Sequence, residues 1–112
     1  QLNGDSGRAR ARTALRTARG RLDHAAGIAD IAAALTGYIA DRLNLPEGGL
    51  TRQDIVTRLN DVDVPQAIID QVDAVLIDCE QRHFAGGVDT HDATLAAHAG
   101  ACIDALEGAR LR

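Results

Sequence analysis

Between Tyr38 and Ile55 the chain carries a complete set of instructions for a corner between two helices, and that corner limits what the rest can form. Pro46 pushes Leu45 out of the α region, so a helix arriving through Tyr38-Ile39-Ala40-Asp41-Arg42-Leu43 has to end there. Gly48-Gly49 supplies a turn. Thr51, with Asp54 three positions on, is a variant of the capping box and opens the next helix.

Apolar residues outside the corner recur at steps of three and four, and no segment alternates with a period of two over a useful length. The expected fold is therefore all-α, a small bundle of about five helices at 6–22, 25–44, 52–60, 65–83 and 91–109. Residues 1–5 are expected as a disordered end, and 6–112 as a single helical domain, a fragment of a larger membrane protein. Ala11, Ala14, Leu15, Ala18 and Leu22 form the apolar stripe of the first helix. Gly20 and Gly27 then weaken helix by about 1 kcal/mol each relative to Ala, which places a break near residues 20–27, with Asp23 able to cap the second helix; one long kinked helix is the alternative. Ile28, Ile31, Leu35, Ile39 and Leu43 step along the second helix beside Tyr38, while Asp30, Asp41 and Arg42 are expected in water. The third buries Ile55, Val56 and Leu59. The fourth opens with Pro65 in its first turn and buries Ile68, Val72, Val75, Leu76 and Cys79. Asp89 or Thr90 caps the fifth, with Leu95, Ala99, Cys102, Ile103 and Leu106 inward. Aromatic residues are only 2% of the 112, so the core has to be built from aliphatic side chains and alanine, a composition suited to close helix packing.

The residue types that carry chemistry are scarce or badly spaced. His91 and His98 are seven apart, whereas two metal ligands on adjacent helical turns need a spacing of three or four. Asp61-Val62-Asp63 begins like a calcium loop, but Gln66 and Val72 occupy the positions that need glycine and a bidentate glutamate. Ser6 is the only serine and lies in the expected frayed end. Cys79 and Cys102 fall in apolar stripes, where a thiol ionises poorly, and are expected as buried free thiols. No lysine follows Gly48-Gly49, so there is no phosphate loop. No enzymatic activity, cofactor, metal or small-molecule substrate is expected. A helix-turn-helix reading of residues 50–80 for DNA meets Asp70, Asp73, Asp78 and Glu80, with no arginine or lysine from 65 to 80; phosphates would repel that surface, and no nucleic-acid partner is expected. It stands as the alternative function, beside a structural cap that holds an oligomer together.

The formal net charge of −4 conceals a division. Residues 1–21 hold six of the twelve arginines, Arg8, Arg10, Arg12, Arg16, Arg19 and Arg21, against the single acid Asp5; the remaining 91 residues hold six arginines against fifteen acids. A basic arm thus precedes an acidic body. Two readings stay open for the arm: the solvated face of the first helix, or a cluster drawn to an anionic membrane surface just after a span. Ile31–Ala40 and Ala93–Ile103 are the longest uncharged runs, far short of the roughly 20 residues a span needs.

Taken together, the Arg/Ala-rich helix, Tyr38-Ile39-Ala40-Asp41-Arg42-Leu43 with Leu45-Pro46, Gly49-Leu50-Thr51, Leu59, Val64-Pro65, Leu76-Ile77-Asp78-Cys79-Glu80 and Arg82-His83-Phe84-Ala85 resemble the C-terminal domain of the BatD oxygen-tolerance family, over about residues 8–108. The resemblance implies a bacterial envelope protein with an exported N-terminal part, one membrane span, and this helical piece on the cytoplasmic side of the inner membrane. It also implies a role in aerotolerance and stress. The implied partners are a MoxR-type AAA+ ATPase or a von Willebrand type A domain protein. The family offers no catalytic motif, so the expected function is a non-enzymatic protein-interaction domain.

Overall fold

The computed structural model describes residues 2–46, 49–84 and 93–109, with side chains from residue 11 onward except those of His83 and Phe84. Five helices follow one another: α1 (Leu2–Asp23), α2 (Ile28–Leu43), α3 (Arg52–Asp61), α4 (Gln66–Phe84) and α5 (Ala93–Gly108). The chain is the all-α bundle its periodicity demands, with no strand among the described residues. Expected caps Asp89 and Thr90 lie outside those residues.

Local chemistry sets the helix ends. α1 begins at Leu2, four residues before the expected start, because extending a formed helix adds one hydrogen bond per residue fixed whereas nucleation is the expensive step. The break after it is real but narrower than expected, at residues 24–27. Asp23 does not cap α2: it closes α1, Gly27 takes the extended N-cap conformation, and Asp30 instead reaches back to accept the backbone N–H of Ala26 at 2.9 Å. α2 ends at Leu43 as Pro46 dictates. Asn44 enters the left-handed region at φ 53, and the backbone N–H groups of Asn44 and Leu45 both turn to the Ala40 carbonyl. Thr51 and Asp54 complete the capping box reciprocally, at 3.1 Å for Thr51 Oγ1 and 3.0 Å for Asp54 Oδ2. Pro65 stands just before α4 rather than inside it, and its carbonyl accepts from Ile68 and Ile69.

α2 is the hub. It packs against α1, α4 and α5, while α3 packs along α4. Ile31, Leu35 and Ile39 are completely covered, and Ala34, Gly37 and Ala40 are buried on flanking faces, so three sides of α2 are enclosed. Burying each large aliphatic side chain contributes about 1.5–3 kcal/mol. All five residues expected inward on α5 are buried. α4 differs by one position: Ile69, not Ile68, joins Val72, Leu76 and Cys79 in the core, and Ile68 stays half-covered. Arg42 is also drier than expected, its side chain 17% exposed and 3.9 Å from Glu107 on α5. Tyr38, buried in the centre, donates its hydroxyl to the same carboxylate.

Candidate functional site

The corner read from the sequence forms one end of a groove between the N-terminal half of α2 and the α3–α4 pair. Ile28, Ala29, Ala32, Ala33 and Thr36 lie on a single face of α2, at steps of one, three, one and three, and line one wall. Gly49, at φ +84, takes a left-handed turn open to glycine without strain, and delivers Leu50 to the groove just before the Thr51 cap. Ile55 one turn into α3, with Leu76 and Cys79 on α4, supplies the opposite wall. The volume of this open groove is about 510 Å³, within the range of roughly 300–1,000 Å³ typical of binding sites.

The polar groups around it are turned to one another. Thr36 donates its hydroxyl to the Ala32 carbonyl at 3.0 Å, within its own helix. Arg52, the first residue of α3, donates from Nη1 to Asp73 on α4 at 2.8 Å, and its Nε stands 3.8 Å from Glu80. The Asp73 hydrogen bond, and then its charge, hold that guanidinium still more firmly protonated. Arg52 thereby pins α3 to α4 along the rim. Cys79 is the thiol at the groove. Burial, and secondarily the charge of Asp78, push its thiol up to about 11, so it stays protonated at neutral pH. These groups offer apolar contact area and a charged edge; the nucleophile–base pair that covalent catalysis needs is not assembled at this groove.

Both cysteines are buried and unbridged, and burial pushes Cys102 up to about 11 as well. A smaller depression of about 220 Å³ lies between α4 and α5 at Val75, His98 and Cys102, below the size that encloses a ligand. His24 and His98 are exposed, His24 bonding its own helix through the Gly20 carbonyl; His91 and the side chain of His83 lie outside the described residues. Among the described residues no three His, Cys, Asp or Glu side chains gather as a metal would require.

Among the six arginines of the basic arm, the described side chains meet different neighbours. All six lie on α1, where the side chains of Arg8 and Arg10 fall outside the described residues. Arg12 and Arg16, one turn apart, are exposed. Arg19 is tied to Asp104 on α5, and Arg21 donates to the Ala33 carbonyl of α2 at 3.2 Å. No described helix is long and apolar enough to cross a membrane. The sequence singled out the corner but not the α2 wall, whose alanines look like ordinary helix formers. Their spacing on one face was the signal that could have found them.

No protein-family model, curated protein or solved structure matches this chain.

Proposed function

We propose that this domain is a non-enzymatic interaction module, the cytoplasmic helical piece of a BatD-like envelope protein, and that the groove beside the Thr51 corner receives a segment of a partner. The observation that carries this reading is the apolar cleft along the central helix α2. An apolar cleft of about 510 Å³ between packed helices has the volume of a binding site. Its polar groups are few, and Thr36 and the Arg52–Asp73 pair are already engaged within the fold, which favours a macromolecular occupant over a small molecule that needs convergent donors and acceptors. A MoxR-type AAA+ ATPase or a von Willebrand type A domain protein is the partner of choice, by the resemblance. The arginines of the arm, Arg8, Arg10, Arg12, Arg16, Arg19 and Arg21, are proposed to meet an anionic membrane surface, a reading that the exposure of Arg12 and Arg16 supports.

Titration of the isotopically labelled domain with the ATPase and with the type A protein, followed by amide shifts, tests the reading. Shifts at Ala29, Ala33, Leu50 and Thr51 are expected. Absence of any shift with either protein would refute it.

A further inference from the structure

The shape and charge of the groove specify the partner's chemistry more narrowly than the interaction reading, on which this inference rests. Ala29, Ala32 and Ala33 present nothing beyond Cβ, so a second backbone can approach α2 near the close end, about 8 Å, of helix–helix separations. The wall from Ile28 to Thr36 runs about 12 Å at 1.5 Å per residue, the length of two helical turns. α2 has its backbone bonds made internally, and no sheet edge exists among the described residues, so an extended segment gains no main-chain partner here. A helix brings its own backbone bonds with it.

Charge fixes which helix. On the α4 rim two carboxylates, Asp73 and Glu80, share the one guanidinium of Arg52. Asp73 takes the close contact, and Glu80 is left 53% exposed at 3.8 Å. The cation Arg21 stands on the far, α1 flank, at the Ala33 carbonyl. The rim is therefore acidic towards α4. In a second copy of this chain the net-basic helix is α1, whose Ala14 and Ala18, at 0% and 1% exposure, are already spent on its own core.

We infer that the groove takes an amphipathic α-helix of a different protein, small and apolar over two turns, with lysine or arginine on the flank that meets Glu80. Two labelled peptides of about four turns test it. They share one Ala/Leu face; one carries lysines on its flank and its twin carries glutamates. Binding is read by fluorescence anisotropy and by amide shifts of the domain. The lysine peptide is expected to bind in the micromolar range, with shifts at the groove, and the glutamate twin roughly tenfold more weakly, since each exposed pair is worth only about two- to fivefold. Glu80→Gln should narrow that gap by about one such step. Ala29→Arg replaces one exposed helix-favouring residue by another, leaves the helical circular dichroism unchanged, and should remove binding.

Equal affinity for the two peptides, retained binding in Ala29→Arg, or no binding of either at about 1 mM would overturn the inference. So would concentration-dependent dimerisation abolished by Ala29→Arg, which assigns the groove to a second copy. If the ATPase or the type A protein shifts resonances elsewhere while both peptides fail, this inference falls and the interaction reading stands. If nothing binds anywhere, both fall.

Discussion

Tyr38→Phe removes one hydroxyl and little else, which makes it a clean probe of what joins α2 to α5. The ring stays, so the core keeps its volume and the cavity contribution of larger truncations is absent. What is lost is a hydrogen bond from a residue only 1% exposed to the carboxylate of Glu107, 69 positions away, which also has Arg42 at 3.9 Å. Hydrogen bonds to charged groups contribute about 1.5–3 kcal/mol. Because the Glu107 side chain is 38% exposed, water can rehydrate the freed oxygen, so the low end, about 1.5 kcal/mol, is expected. At about 4 °C per kcal/mol for a domain of this size, the melting temperature should fall by about 6 °C. Urea unfolding should show the same loss with an unchanged slope, and a cycle with Glu107→Ala should return a coupling of about 1 kcal/mol. A loss below about 0.5 kcal/mol, or no coupling, would refute this account of the α2–α5 tie. The chain's single tyrosine gives a second check. Burial first, then the Glu107 hydrogen bond, raise its phenol well above the ordinary 10.0. The folded state therefore holds its proton where the unfolded chain has released it. This contribution is complete below pH 10 and declines as pH climbs towards the folded value, a decline that Tyr38→Phe should lack.

The remaining expectations concern register, capping and the thiols. Ile69→Ala should cost about 2–5 kcal/mol in urea unfolding and Ile68→Ala less than half of that; the reverse order would contradict the observed face of α4. Thr51→Ala should cost about 1 kcal/mol through the lost N-cap, with helical circular dichroism falling only slightly. Asp54 is held below its ordinary 3.8 by the Thr51 backbone N–H and then by the Thr51 hydroxyl, so the deficit of Asp54→Ala should be present above that pH and vanish as pH falls through the folded value. Cys79 and Cys102, both pushed up to about 11, should react slowly with a thiol reagent at neutral pH and both react on unfolding; native labelling at the rate of an exposed thiol would show that one is not enclosed.

The features legible in the sequence are those that depend on neighbours along the chain. Pro46, the Thr51–Asp54 box and the aliphatic stripe of α5 act within a turn or two of themselves, and all three do what the residue order says. Pattern fails where a distant partner decides. Ile68 and Ile69 are equivalent to a pattern search, and only the direction in which α4 meets α2 and α5 selects Ile69. Arg42 reads as solvated until Glu107 and Tyr38 of the packed α2–α5 pair cover it. Arg19 and Arg21 read only as members of a basic arm, and the packed bundle alone gives them Asp104 on α5 and the Ala33 carbonyl on α2 as partners. Asp23 loses the cap of α2 because α1 continues through it.

The groove arises from two local facts that meet only in three dimensions. α3 has ten residues, about 15 Å of helix, and its capping box and the Arg52 pairing fix it along α4. It thus lies along α4, and of its residues Arg52 and Ile55 reach the groove. Large aliphatics on the α2 wall of the groove would make that helix hydrophobic all round, a pattern stable only under complete cover. Alanine there keeps helix propensity high while leaving little apolar area in water. The alanines are therefore enough for α2 to remain folded with the cleft empty, while the buried Ile55 and Leu76 hold the far wall in place. An occupant then meets a formed surface and binds without the cost of ordering it, which is why substitution at Ala29 can separate binding from folding.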